Sequence, residues 1–469
     1  MATTAAATTS AGTIDVQGLV SQLMAVANQP ITTLNTKITT DQTKISSFGT
    51  ISGLVSGFQT AVQGLNTALL NNSTTSSNTN ILNASASSTA ATGNYALNVT
   101  SLAQSQSLVS LGQSSSTNAI SNGTATTVTF DFGTTATGGV FTSGGSGTKS
   151  VTIDSTNNTL QGMANAINAA NIGVTATIVN DGSATAPYRL SLTSNNSGSS
   201  NSLKITTSGG DGTINSLLGY DPSLTQNMTQ TVAAQNANFT VNGIAISSAS
   251  NTVTSAIQGV NLTLSGLTTT PATLTVTHDT KGFNTAVTSF VDAYNGLYSQ
   301  LKGRSAYGTS TSPATELSGD GTLRLMMSQL QGVFNTPATP ASGGSLTYLA
   351  QIGIAFQSDG SLKVDSNMLN NAMSSNFSDV TNLFSSATGF ATTLNTWAQS
   401  VLSPGNGLIP NATKNINTSI TTYTDQINQM QARNTVLQAQ YLQQYTNLNM
   451  LLSNMNSTST YLSQQFSKN

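Results

Sequence analysis

From Ile416 to Met455 the large side chains recur in alternating steps of four and three: Ile416, Ile420, Tyr423, Ile427, Met430, Asn434, Leu437, Tyr441, Gln444, Leu448, Leu451 and Met455. A 3.5-residue repeat keeps a stripe on one side only when the helix runs alongside another helix. At 1.5 Å per residue the repeat spans about 60 Å, so it needs a partner of similar length. Asn434 and Gln444 place amides at core positions, where polar groups fix register and partner number at some loss of stability. Pro404-Gly405-Asn406-Gly407 breaks the chain ahead of this helix.

The other end of the chain offers the partner. Ile31, Leu34, Ile38, Ile45, Phe48, Val55, Val62, Leu65 and Leu69 fall mostly at steps of three, four and seven, with Asp41 and Ser52 as polar interruptions of the seam. Pro30 is expected at the first helical position, where a missing N–H is harmless. Upstream, Leu19, Val20, Leu23 and Met24 mark a separate short amphipathic helix within a flexible segment 1–30. The two terminal helices are expected to pair within the chain and to present a second face to neighbours.

Between them the period changes from helical to alternating. "GNYALNVTSLAQSQSL" alternates at Tyr95, Leu97 and Val99. The stretch "SVTIDSTNNTLQGMANAINAANIGVTATIVN" reads strand, helix, strand, its helix carried by Leu160, Met163, Ala164 and Ile167. Asn180-Asp181-Gly182 then signals a hairpin. "NFTVNGIAISSASNTVTSAIQGVNLTLSGL" repeats the theme more weakly, and the Gly- and Thr-rich residues 133–149 are expected to form a long surface loop. Helix returns with Phe283, Val287, Phe290, Val291, Tyr294, Leu297, Tyr298 and Leu301 on one face. "IGIAFQSDGSLKVD" reads as a hairpin, and short helices are expected over 367–384 and 391–402.

The fold class is therefore α+β and multi-domain: long terminal helices form a coiled-coil leg, and β-rich domains are nested in the middle. The expected partition is a helical leg of 31–72 and 280–455, a β domain of 73–128 and 233–279, an inserted outer β domain of 129–232, and a C-terminal tail of 456–469.

Composition narrows the function. Only 6% of residues are charged and the net charge is −2, against about 25% charged in ordinary globular proteins. Nucleic acids and anionic membranes both need clustered Lys or Arg, so neither is an expected partner. The chain has no cysteine, which removes disulfides, thiolate metal sites and a cysteine nucleophile. The start, "MATTAAATTSAGTIDVQ", has no basic n-region or apolar h-region, so no classical signal is expected there, and no stretch is long and apolar enough for membrane insertion.

No reactive constellation stands out. His278, the only histidine, sits in "LTVTHDTKG" without a Cys or Glu cluster nearby in sequence, and a structural role is expected. Asp181, Asp211, Asp320 and Asp359 each precede Gly in turn-like stretches, and Asp359 with Asp365 lacks the full calcium-loop pattern. Asn-x-Ser/Thr sequons such as those at Asn98 and Asn411 are what an Asn- and Thr-rich chain produces by chance. No catalytic residue, metal or cofactor is expected.

Several segments together carry a resemblance. "DVQGLVSQLMAVANQPITTLNTKITTDQTKISSFGTISGLVSGFQTAVQGL", "GNYALNVTSLAQSQSL", "NTLQGMANAINAANIGVTATIVNDGSATAPYRLSLTSNNSG", "YLAQIGIAFQSDGSLKVD" and "NSTSTYLSQQF" follow in the order and spacing seen in flagellar hook-associated protein 2. The chain resembles that family of filament caps over nearly its whole length, departing from it in having less Lys, Glu and Asp in the coil.

The resemblance implies a structural protein at the distal tip of the bacterial flagellar filament that promotes flagellin folding and insertion and supports motility. It implies secretion by the flagellar type III route, an export chaperone before secretion, a ring-shaped homo-oligomer (a pentamer), and adhesion as an added role. The expected contacts with flagellin or other subunits are Ile416, Ile420, Ile427, Asn434, Leu437, Gln444, Leu448 and Leu451 along the heptad, with Tyr461, Leu462 and Phe466 as tail anchors. A flagellin-like or hook–filament junction protein and a glycan-binding surface adhesin are the alternative readings.

Overall fold

The structure, a computed structural model, describes residues 14–145, 147–308, 314–339 and 344–467. The chain opens with α1 (Val16–Leu70) and continues through β1 (Asn72–Ser76), β2 (Leu82–Ala86), β3 (Gly93–Ser101) and β4 (Ser107–Val109). Next come β5 (Thr126–Thr135), β6 (Phe141–Ser143), β7 (Lys149–Ile153), α2 (Leu160–Ala169), β8 (Val174–Asn180), β9 (Tyr188–Ser194), β10 (Ser202–Gly209) and α3 (Thr213–Leu218). The β region ends with β11 (Thr229–Val232), β12 (Ala237–Val241), β13 (Ile244–Ser248), β14 (Thr252–Ile257), β15 (Val260–Leu264) and β16 (Ala272–His278). Helix then resumes with α4 (Thr280–Arg304) and α5 (Gly321–Asn335), followed by the hairpin β17 (Ile354–Phe356) and β18 (Leu362–Val364). The last elements are α6 (Ser366–Ser375), α7 (Phe377–Ser385), α8 (Phe390–Leu402) and α9 (Leu408–Phe466).

Two compact units result: residues 1–69 with 280–469, and residues 70–279. The fold is mixed helix and sheet, with long terminal helices and β-rich middle domains.

The β unit holds two separate cores. In one, the five-stranded sheet β1-β16-β3-β12-β13 and the three-stranded sheet β14-β15-β2 enclose Leu82, Leu97, Val99, Phe239, Leu262 and Leu274. In the other, the sheets built on β10-β5-β6 and β11-β4-β9-β8 enclose Phe130, Leu192, Leu203 and Ile205, with α2 contributing Leu160, Met163 and Ile167. Thr159 caps α2 by accepting from the Gly162 N–H. Leu108 of β4 belongs to this second core, so the outer domain begins before residue 129.

Two loop expectations need correction. Residues 133–149 are not one loop: β5 runs to Thr135 and β6 pairs with it, Gly133 opposite Ser143. Residues 180–188 do join antiparallel strands, Asn180 opposite Tyr188, but through a longer loop than a two-residue turn. Arg189 donates from Nε to the Asp181 carboxylate and stiffens that loop.

In the helical unit, the second half of α1 is the spine of a core. Phe48, Ile51, Val55, Phe58, Val62, Leu65 and Leu69 are buried against α4, α5 and α8. Ile51 and Phe58 complete an unbroken heptad in place of the interruption expected at Ser52. Phe58 lies 5.7 Å from Phe290 and 5.9 Å edge-on from Trp397, the spacing of favourable aromatic pairs. The Asn395 side-chain oxygen accepts from the amides of both Gln59 and Gln63, tying α8 to α1.

The sequence reading missed α5. Its signals were Asp320, which accepts from the N–H groups of Thr322 and Leu323 as N-cap, and Leu323, Met326, Leu330 and Phe334 at helical spacing. Residues 367–384 form two helices, α6 and α7, that break at Asn376.

The terminal helices also correct the expectation. α1 runs through Pro30 as one helix, and α9 does not end at Met455 but continues to Phe466.

Candidate assembly surface on the terminal helices

α1 and α9 lie against each other. Ile31 and Leu34 of α1 bury Ile427 of α9, with Ile38, Tyr423 and Met430 half-buried around them. Lys37 places its ammonium 5.6 Å from the centre of the Tyr423 ring, within cation–π range. Between Asp41 and Lys44 of α1 there is a 3.0 Å ion pair, which accounts for a carboxylate on the seam.

Asn434 braces α1 in the turn ahead of Pro30. Proline offers no N–H to the preceding turn and crowds its carbonyls. The Asn434 amide donates to the Ala27 carbonyl (3.1 Å) and to the Asn28 side-chain oxygen (2.9 Å). A buried amide of α9 thus supplies donors to the turn that the proline weakens, and packing of Val20, Met24, Ile31 and Leu34 on either side keeps the helix continuous. Gln444, the other amide expected to fix register, is exposed.

The pairing then runs out. Ile14, the first described residue, donates its N–H to the Asn449 side-chain oxygen (3.1 Å). Every residue from Ser453 to Ser467 is exposed. Leu448 is 40% exposed, Leu451 57%, Met455 60%, Leu462 48% and Phe466 79%. At 3.6 residues per turn these five lie within about 60° of one another. They lie on average about 75° around the helix from Ile427 and Asn434, beside the face that half-buries Tyr441, Tyr445, Asn449 and Leu452, and the polar run Asn456–Thr460 leaves a gap in the stripe.

Among the expected contact residues, Ile416 packs on the main helical core and Ile427 and Asn434 are buried within the chain. Ile420 and Leu437 are half-buried. Leu448, Leu451, Leu462 and Phe466 share the open stripe, whereas Tyr461 sits about 100° away from it. The sequence reading did not single out Val436 and Met450, which are also exposed; both lie off the heptad that guided it.

The polar groups singled out earlier serve local structure. His278 ends β16 opposite Asn72, and burial lowers its pKa. Glu316 accepts from Ser47 Oγ and pairs with Arg304, each at 2.6 Å. Asp359 accepts from Ser361, and Asp365 caps α6 by accepting from the Asn367 and Met368 N–H groups. Among the described residues no cluster of His, Cys, Asp or Glu is arranged to hold a metal ion. Within them, too, no helix is long and apolar enough to cross a membrane.

A chain that closes its two ends into a long helical pair, leaves one helix face open and folds its middle into β domains is an axial assembly protein, one that works by packing. The sequence comparisons agree and are more specific. Residues 12–106 match the family signature described as Flagellar hook-associated protein 2 N-terminus, 234–457 match Flagellar hook-associated protein 2 C-terminus, and 140–196 match Flagellin hook IN motif. The flagellar hook-associated protein 2 of Escherichia coli K12 is 36% identical over 470 residues, covering 97% of both chains. That of Salmonella typhimurium LT2 is 33% identical over 332 residues, 67% of this chain and 68% of the relative. The D1-D2-D3 domains of the flagellar cap protein FliD from Escherichia coli superpose with a TM-score of 0.66 at 35% identity, covering 79% of this chain and 99% of that one.

The chain belongs to the flagellar hook-associated protein 2 family. It is an exported flagellar cap protein that acts in filament assembly at the distal tip, and it oligomerises and interacts with flagellin as this family does.

Proposed function

We propose that the open stripe of α9, Leu448, Leu451, Met455, Leu462 and Phe466, is where this cap grips flagellin or a neighbouring subunit, with Tyr461 as an added anchor. The observation that carries this reading is an exposed apolar stripe, interrupted only at Asn456–Thr460, on a helix that outruns its partner. Exposed apolar surface of this extent marks an interaction site. Tyr423, Ile427, Met430 and Asn434 set the α1–α9 pair and so aim the stripe. The functional oligomer is a ring of five subunits, and an export chaperone covers the stripe before secretion. The work is done by packing, without catalysis or a cofactor. The junction-protein and adhesin readings rest on no comparable surface.

Truncation after Met455 provides the test. The shortened protein should fold and be secreted, yet a deletion strain carrying it should release flagellin monomers and build no filaments. Filaments of normal length on that strain would refute the anchoring role.

A further inference from the structure

Between α5 and α8 lies a cleft of about 550 Å³. Its floor is apolar, with Val333, Pro337, Phe390 and Trp397, and its rim carries Thr336, Thr393, Thr396 and Ser400. Among the described residues, no charged one lines it.

The hydrogen bonds around the cleft define what it can take. The rim hydroxyls of Thr336, Thr393 and Thr396 donate to carbonyls one turn back, and Ser400 donates to the Trp397 carbonyl. Their protons are committed, so their oxygens remain as acceptors. Trp397 is only 5% exposed, and its indole Nε1 is buried, with no acceptor among the described residues. The cleft therefore suits an uncharged occupant that brings an apolar side chain and donors for the rim.

We infer that this occupant is the end of α9 from a second copy of the chain. The inference rests on the reading of the α9 stripe as a contact surface and names what it contacts. From Asn434 to Ser467 α9 carries no charged residue, which matches a cleft where a charge would be buried without a partner. Leu462 and Phe466 supply the apolar side chains, and Ser463 and Gln465 flank them with hydroxyl and amide groups. The chain's own tail cannot reach: Leu462 lies about 80 Å beyond Leu408 along one unbroken helix, and Leu408 follows directly on α8. A helix end laid in a groove between two helices is a common recognition mode. A head-to-tail contact between identical chains is also the kind that closes into rings.

Trp397 is the only tryptophan, so its emission reports on the cleft in the full-length protein. A synthetic peptide of residues 448–467 should shift Trp397 emission saturably and reduce its quenching by acrylamide. The same peptide with Leu462→Ser and Phe466→Ser should bind at least tenfold more weakly, and Thr396→Lys in the protein should remove the response without changing the melting temperature. Full-length L462S/F466S and T396K proteins should each lose this contact alone, yet form a heterodimer when mixed, because one retains the cleft and the other the tail. A flat titration, equal responses to both peptides, or no heterodimer on mixing overturns the inference. A T396K protein that still caps filaments, together with a flat titration, would remove this inference while leaving the assignment as a cap intact.

Discussion

α1 carries one repeat into two different settings. Its second half, from Phe48 to Leu69, is wrapped by several helices, and Phe48, Ile51, Val55, Phe58 and Val62 are completely buried. Its first half meets one partner, so Ile31 and Leu34 keep a little exposure. On α9 exposed apolar residues flank the paired face and continue beyond the start of α1. The repeat decides which way side chains point, whereas the number of neighbouring elements decides how much each burial stabilises. Helices of this kind draw most of their stability from packing and little from propensity. Stability therefore concentrates in the wrapped half, and the open end is left free to find its partner elsewhere.

The largest effect that this contrast implies is on Phe58. Phe58→Ala should destabilise the helical unit by about 3–5 kcal/mol, the range for truncating a buried aromatic. Leu34→Ala, with a single partner helix, should lie nearer the lower end of the range for leucine, about 2 kcal/mol. Urea denaturation of both variants, followed through Trp397, measures the difference. Equal losses would mean that the wrapped and paired halves are energetically alike, and the comparison would fail.

Asn434→Ala should come next. It leaves the turn around Pro30 without its donors, at a cost of about 1–3 kcal/mol. That cost is local, so it should appear as faster amide hydrogen exchange over residues 16–30 and hardly at all in exchange across 48–69. Gln444→Ala, at an exposed position of the same heptad, should leave exchange unchanged. Matching responses would show that register does not depend on Asn434.

How much of this was legible in the sequence follows from what each signal measures. The α9 heptad, the Phe283–Leu301 face and the helix of Leu160 and Ile167 were all read correctly because periodicity reports direct burial. Pro30 was misread as a start because sequence shows the missing N–H and not the Asn434 amide brought to it from more than four hundred residues away. The tail was set apart because Asn456–Thr460 looks polar, although small polar residues do not stop a helix that is already under way. Helix α5 was legible in Asp320, Leu323, Met326, Leu330 and Phe334 but was overlooked, since Gly and Thr residues surround it. The orphan indole of Trp397 left no trace in the sequence, because a lone tryptophan at helical spacing reads as core. The α5–α8 cleft exists only once two helices separated by residues 336–389 are packed together.

The smallest effect separates the two regions by pH. Glu316 accepts from the Ser47 hydroxyl and pairs with Arg304, and these interactions, the Ser47 bond foremost, hold its carboxyl below the usual carboxylate range. A carboxyl with a depressed folded pKa binds fewer protons folded than unfolded. Its contribution is therefore fully present above the unfolded value of about 4.3 and fades as pH falls through the folded one. The pair is partly exposed, so the contribution should stay under about 1 kcal/mol. Glu316→Gln removes the titration while keeping a hydrogen-bond acceptor for Ser47. The difference in stability between the native protein and E316Q should thus be largest near neutral pH and shrink between about pH 5 and pH 3. By contrast, α9 from Gln426 to Ser467 contains no Asp, Glu or His, so binding through its stripe should not follow that pH profile. Binding of the 448–467 peptide, if it weakened in step with the E316Q difference as acid is added, would show that the wrapped base and the open stripe are coupled and do not divide stability from contact in the way their burial implies.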